Sequence, residues 1–184
     1  MKNKRLRISY SLLNLWERGQ TDLATALYLH QDMPTNQAMK DGKAIHKQIE
    51  KHIIDKGKLP SFLNVSLPLT NPQPEKKIIA SYNKSWDLSG VIDCLDDDFF
   101  LEFKTGTTPA FYYTRKYQSP FYFLLLEIIG EPREKSYLVK YNQHQKNGEV
   151  ILLWKPKLDK VKNYIDTLAP EIEEFFLERG ILNY

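Results

Sequence analysis

The chain has 184 residues, with 26 Lys and Arg against 23 Asp and Glu for a formal net charge of +3, and a hydrophobic fraction of 42%. These figures are those of one ordinary soluble domain, expected to span residues 1–184 and long enough to bury about 70% of the surface its unfolded chain exposes. The lone cysteine, Cys94, excludes an internal disulfide and a four-cysteine zinc or iron–sulfur site, and with no apolar run near the roughly 18 residues that span a bilayer and no signal-like apolar stretch after the basic N-terminus, the expected setting is cytoplasmic, with no membrane partner.

Ser9 or Ser11 caps a first predicted helix through Leu12, Leu13, Leu15 and Trp16, which Gly19 interrupts before a second helical stretch around Asp22 to His30. Met33-Pro34-Thr35-Asn36 breaks the pattern. A helix follows from Asn36 to Asp55, with Ile45, Ile49 and Ile53 as its buried stripe and Gly57 as its stop. The proline-rich passage from Leu59 to Glu75 reads as a loop in which only Phe62 to Leu67 has the makings of a strand. Strands are predicted over Ile78 to Tyr82, Trp86 to Leu95 and Phe99 to Lys104, then a helix over Tyr113 to Ile129, strands over Ser136 to Tyr141 and Val150 to Trp154, and a last helix over Leu158 to Glu178. Helices around a central, mixed and largely antiparallel sheet make the fold class α/β, or α+β.

The near-neutral total conceals two regions. Residues 1–58 carry eleven Lys and Arg against six Asp and Glu, whereas Trp86 to Thr108 carries Asp87, Asp93, Asp96, Asp97, Asp98 and Glu102 against Lys104 alone. The acidic stretch coincides with a predicted hairpin. With Asp96 and Asp97 as its turn, Leu95 faces Asp98, Cys94 faces Phe99 and Asp93 faces Phe100. Alternation then puts Asp93, Phe100, Glu102 and Lys104 on one side, and Leu88, Ile92, Phe99, Leu101 and Phe103 on the other. In that register Asp93 and Glu102 are diagonal neighbours about 7–8 Å apart, near enough for their side chains to close on one cation. Two such carboxylates repel unless a cation lies between them, and an oxygen-rich site suits magnesium or manganese. Lys104, one pleat beyond Glu102, is placed to orient a water or to neutralise charge developing on a phosphate.

The chain resembles the PD-(D/E)XK nuclease superfamily, and within it the RecB-like nuclease domain, through a series of motifs in order. These are Gly42-Lys43-Ala44-Ile45-His46, Gly90-Val91-Ile92-Asp93, Glu102-Phe103-Lys104, and Gln118-Ser119-Pro120-Phe121-Tyr122. The resemblance implies a restriction-endonuclease-like core in which His46, Asp93, Glu102 and the Phe103 backbone carbonyl hold the metal and Lys104 is catalytic, while Gln118 and Tyr122 position the lysine and the nucleic-acid backbone. Relatives that hold an iron–sulfur cluster use one N-terminal and three C-terminal cysteines, so no cluster is expected here. Glu50 shares a helix face with His46 and is a further ligand or a supporting partner, whereas His52 is expected to face solvent. Pro120 requires either a helix start near Ser119 or a kink.

The implied function is metal-dependent hydrolysis of DNA with one or two Mg²⁺ or Mn²⁺ ions, as an exonuclease on linear or single-stranded DNA leaving 5′-phosphates. A restriction-type endonuclease and a non-catalytic nucleic-acid-binding protein are the alternatives. DNA is the expected partner, gripped by Lys40, Lys43, Lys47 and Lys51 on and before the histidine helix, and by Arg115 and Lys116, with Tyr112, Tyr113, Tyr117 and Tyr122 near those cations. A second copy of the chain, or a helicase or recombination partner, is a further expectation.

Overall fold

The computed structural model describes residues 5–182, so the first part of the basic N-terminal run lies outside the described residues. Its elements run β1 (Leu6–Ser9), α1 (Tyr10–Glu17), α2 (Thr21–Tyr28), α3 (Gln37–Lys56), a 3-10 turn (Ser61–Leu63), β2 (Gln73–Ser81), β3 (Trp86–Leu95), β4 (Phe99–Thr105), α4 (Ala110–Thr114), α5 (Gln118–Ile128), β5 (Lys135–Asn142), β6 (Asn147–Trp154) and α6 (Asp159–Glu178). The fold is a mixed α/β one, with a six-stranded, mostly antiparallel sheet flanked by helices. No helix among the described residues is long and apolar enough to cross a membrane.

Local chemistry explains most of the boundaries. The Leu12 N–H donates to the Ser9 hydroxyl at the start of α1, and the Met39 N–H donates to Asn36 at the start of α3. Gly57, at φ +63°, closes α3 in the left-handed conformation that glycine adopts without strain. Two expectations fail here. Phe62 to Leu67 forms no strand, because the chain turns through the 3-10 element and Asn64 at φ +53°. The predicted helix over Tyr113 to Ile129 is two helices. Pro120 sits in the first turn of α5, where its missing N–H would have no partner anyway, and its steric effect on the preceding backbone favours a fresh start at Gln118.

The strand order is β1-β3-β4-β5-β6, with β2 on the other side of β3. β1, which the sequence pattern did not reveal, pairs in parallel with Trp86–Ser89 of β3. β2 pairs antiparallel along nearly the whole of β3. On the edge opposite β2, β1 takes Trp86–Ser89 and β4 takes only Cys94 and Leu95. Gly90, Val91, Ile92 and Asp93 are therefore left without ladder partners on that edge.

The hairpin register differs from the expected one by two residues. Leu95 pairs with Phe100 and Cys94 with Leu101, and the Asp96 N–H donates to the Phe99 carbonyl at 2.8 Å, so the turn is Asp97-Asp98 rather than Asp96-Asp97. Asp96 is drawn inward because its carboxylate accepts the backbone N–H groups of Thr70 and Asn71. A two-residue shift preserves the side on which each residue of β4 lies relative to its partners, since the side-chain period is two.

Both faces of the sheet are covered, which corrects the expected division into one core face and one chemical face. Leu88, Ile92, Leu95 and Phe100 pack with α1, α5 and α6 in one core, whereas Cys94, Phe99, Leu101 and Phe103 pack with Ile49 and Ile53 of α3 in the other. Ile92 and Leu95, three residues apart, thus share a core, so alternation reverses across Asp93. The β2–β3 ladder skips the Glu75–Asp93 pair at the same point, and Glu75 is left-handed, at φ +50°.

Candidate active site

The unpaired edge of β3 is the floor of the site. Continuing the hairpin register would set Asp93 opposite Glu102, but the ladder stops at Cys94 and Leu101. The Phe103 N–H instead donates to Asp93 Oδ2 at 2.6 Å. A side chain thus takes the place of a strand at the point where β3 and β4 separate. Asp93 Oδ1 faces the imidazole of His46, with Nδ1 at 3.8 Å. α3 can bring His46 this close because Gly42, one turn earlier, lies against the end of β4; a Cβ there would stand 2.8 Å from Thr105 Oγ1. The His46 ring also meets Phe103 edge-on, with centroids 6.2 Å apart.

Glu102 is the most deeply buried charged group of the site, at 2% exposure. Its Oε2 lies 3.3 Å from Lys104 Nζ, while Oε1 is enclosed and has no hydrogen-bond partner. Burial, and secondarily the charge of Asp93, push the Glu102 carboxyl up to about 8 against the opposing pull of Lys104. Burial acts against the Lys104 ammonium as well, but Glu102 and Asp93 more than offset it and hold its pKa above the ordinary value.

Opposite, α5 delivers Gln118 and Tyr122 one turn apart, and Gln118 Nε2 is 3.4 Å from the Tyr122 hydroxyl. Tyr122 is buried, and burial followed by the Glu102 charge raises its pKa. Gly90 makes room for this ring, since a Cβ at that position would stand 2.7 Å from Tyr122 Cε1. The glycine of the Gly-Val-Ile-Asp run is therefore what lets α5 sit over the floor of the site.

Contacts thus link His46, Asp93 and Phe103, then Glu102 and Lys104, then Gln118 and Tyr122, and the Asp93 charge acts on both Glu102 and Tyr122. The basic residues are more dispersed. Lys43 and Lys47 are exposed on α3, with Lys40 and Lys51, while Arg115 is exposed and Lys116 half-buried between α4 and α5. Tyr117 turns inward, with its ring stacked on Tyr164 at 4.6 Å and packed against the first core. His52 is half-buried rather than solvent-facing, and its Nε2 is enclosed.

Two neighbours of the site had no signal in the sequence pattern. Glu75, in the proline-rich passage read as loop, lies across from Asp93, and burial with the charges of Asp93 and Glu50 raises its carboxyl pKa. Tyr10, at the start of α1, is raised to about 12 by burial, then by Glu17, with Tyr112 and Glu102 adding smaller contributions. Only the pairing of β2 with β3 and the docking of α1 bring these residues to the gap.

Among the described residues no three His, Cys, Asp or Glu side chains are drawn together as a ready metal-binding group. The donor chemistry nevertheless fits a divalent cation. Glu102 Oε1 is a buried carboxylate oxygen lacking any partner, the Asp93 charge acts on Glu102, and Asp93 Oδ1 in turn faces His46; oxygen donors with one imidazole suit Mg²⁺ or Mn²⁺.

No protein-family model and no curated sequence matches the chain. Similar solved structures do exist. An alkaline exonuclease from Laribacter hongkongensis matches with a TM-score of 0.57 at 13% identity, over 95% of this chain and 93% of that one. The same exonuclease in complex with dAMP matches with a TM-score of 0.53 at 14% identity, over 96% and 93% of the two chains. A candidate exonuclease from Eubacterium rectale matches with a TM-score of 0.66 at 8% identity, over 96% of this chain and 83% of that one. The chain shares the fold of these proteins.

Proposed function

We propose that the chain is a metal-dependent nuclease that hydrolyses DNA phosphodiesters, working as an exonuclease on linear or single-stranded DNA and leaving 5′-phosphates. The observation that carries this reading is the unpartnered, buried Glu102 carboxylate, joined to Lys104 and set beside Asp93 where the hairpin opens. A stable fold has no use for such a group, because an enclosed carboxylate oxygen without a partner is destabilising. The fold shared with an alkaline exonuclease that has been crystallised with dAMP supports the same reading.

Asp93, Glu102 and His46, with the Phe103 backbone, would hold a Mg²⁺ or Mn²⁺ ion, and Glu50 and Glu75 would support them. Such an ion, when bound, lowers the pKa of a water and neutralises phosphate charge. Lys104 is the residue with an ammonium to offer the scissile phosphate, where it would offset the negative charge that grows during in-line attack. Gln118 and Tyr122 would position Lys104 and the nucleic-acid backbone. The Phe103 N–H holds Asp93 in place and keeps its other oxygen turned toward His46.

End-labelled linear duplex, single-stranded and closed circular DNA, each with Mg²⁺, Mn²⁺ or EDTA, test the proposal. Loss of linear DNA that requires the metal and disappears in Glu102→Ala and Lys104→Ala is the expected result. Cutting of closed circles would make the protein an endonuclease, and binding without cleavage under every condition would leave a nucleic-acid-binding protein instead.

A further inference from the structure

α4 is only five residues long, and it follows the site directly: β4 ends at Thr105, Gly106 turns the chain at φ +101°, and α4 begins at Ala110. A helix this short has little stability of its own, so tertiary packing must hold it. Ala110 is buried beneath it, and Tyr113 faces inward with its ring 5.9 Å from Lys104 Nζ. Its other two aromatic residues point away from any core. Phe111 is 57% exposed and Tyr112 41% exposed, two large rings on the helix that carries Tyr113 to Lys104.

Cations accompany both rings. The Arg115 guanidinium lies 5.5 Å from the centre of the Phe111 ring, and Lys116 Nζ lies 4.7 Å from the centre of Tyr112. The charge of Lys116, and to a smaller extent that of Arg18 at the end of α1, holds the Tyr112 hydroxyl below the usual phenol range. Two partly exposed rings, each with a cation over it, on the helix that also brings Tyr113 to Lys104, form a surface of mixed character. An apolar partner would leave Arg18, Arg115 and Lys116 without counter-charges. A polyanion carrying flat apolar groups satisfies both the rings and the cations.

We propose that Phe111 and Tyr112, with Arg18, Arg115 and Lys116, form a stacking platform for the unpaired bases of a single nucleic-acid strand at the mouth of the Lys104 site. The proposal rests on the nuclease reading only for what becomes of the strand, not for its binding. Bases in a duplex already stack on one another and offer no free face along its length, so the platform engages a single strand or a frayed end. Stacking accepts every base, which suits a protein that moves along a strand without reading its sequence.

The test is the affinity of the full chain for a dye-labelled oligo(dT) strand, an oligo(U) strand and a blunt duplex of equal length, by fluorescence anisotropy in EDTA so that nothing is cut. The double variant Phe111→Ala/Tyr112→Ala is expected to bind the single strands about tenfold or more weakly, with the blunt duplex changed by less than about twofold. Phe111→Trp/Tyr112→Trp restores the affinity, which a merely structural role for the rings would not allow. The dependence of single-strand affinity on salt keeps its wild-type slope in the alanine variant, since no phosphate contact is lost, and becomes shallower in Arg115→Ala/Lys116→Ala. Loss for oligo(dT) alone assigns the platform to DNA, and loss for both strands assigns it to either sugar. Unchanged single-strand binding in the alanine variant, or an equal loss for the duplex, overturns the proposal. Cleavage assays with Mn²⁺ separate the two readings. Ring-dependent binding in a protein that never cuts leaves the platform and removes the nuclease, whereas cleavage with ring-independent binding does the reverse.

Discussion

Asp96 and Glu102 are two carboxylates buried on the same hairpin, at 1% and 2% exposure. Asp96 is fully engaged: its carboxylate accepts the Thr70 N–H at 3.0 Å and the Asn71 N–H at 2.6 Å, and its backbone carbonyl accepts Arg133 Nε at 2.8 Å. Glu102 has Lys104 on one oxygen and nothing on the other. Asp96 pins the long passage between α3 and β2 onto the tip of the hairpin, so its burial serves the fold. The burial of Glu102 works against the fold, and the proposed metal would offset it. Buried charge alone therefore does not set Glu102 apart from Asp96; the unpaired oxygen does.

The sharpest way to break that contrast is to remove each group in turn. Lys104→Ala or Glu102→Ala is expected to lower metal-dependent DNA cleavage by about a hundredfold or more, with an unchanged circular dichroism spectrum; single-turnover assays on linear DNA check it. A variant that still cuts at close to the wild-type rate would place the chemistry elsewhere.

Asp96→Ala should behave in the opposite manner. It strands two backbone N–H groups and should cost about 3 kcal/mol of stability in urea unfolding, while the protein that remains folded cleaves at the wild-type rate.

Glu102→Gln sharpens the comparison through pH. The Glu102 carboxyl is raised in the folded protein from 4.5 to about 8, so between those values the folded state holds a proton that the unfolded chain has released. Stability is accordingly full below about 4.5 and declines as pH rises toward about 8, the reverse of an ion-paired carboxylate. In EDTA, Glu102→Gln should flatten this decline and be more stable than wild type near pH 8, by an amount on the order of a few kcal/mol. Melting temperatures measured across the pH range decide this, and a variant less stable than wild type at every pH would contradict it.

The smallest expected effect concerns the wall of the site. Gly90→Ala puts a methyl 2.7 Å from Tyr122 and 2.9 Å from Leu125, which should cost about 1–3 kcal/mol. It should also displace Tyr122 from Glu102, so cleavage should fall further than the lost stability explains. Equal activity per folded molecule would show that α5 only covers the site.

Much of the candidate site could be proposed from the sequence because its residues lie close together in it. Asp93, Glu102 and Lys104 occupy two strands of one hairpin, where a register error of two leaves the sides of the β4 residues unchanged even though alternation in β3 reverses at Asp93, and Gln118 and Tyr122 are one helical turn apart. The turn itself was misplaced, because the four-residue run from Leu95 to Asp98 offers several polar positions and only the Thr70 and Asn71 amides select Asp96 for burial. The helix break at Gln118 was foreshadowed by Pro120 but not compelled by it. β1 was missed because four residues are too few to establish a period and its partner lies some eighty positions away.

By itself, then, the sequence determined the α/β class, most helix and strand boundaries, and which carboxylates share the β3–β4 hairpin, since all of these follow from local spacing and capping. Tertiary structure decided the rest. β1 and β4 divide one edge of β3 and leave Gly90 to Asp93 open between them, Glu75 arrives across from Asp93, and both faces of the sheet are covered so that Glu102 is enclosed. Those outcomes depend on contacts between segments far apart in the chain, whose side chains acquire their burial, and with it their chemistry, only when the segments meet.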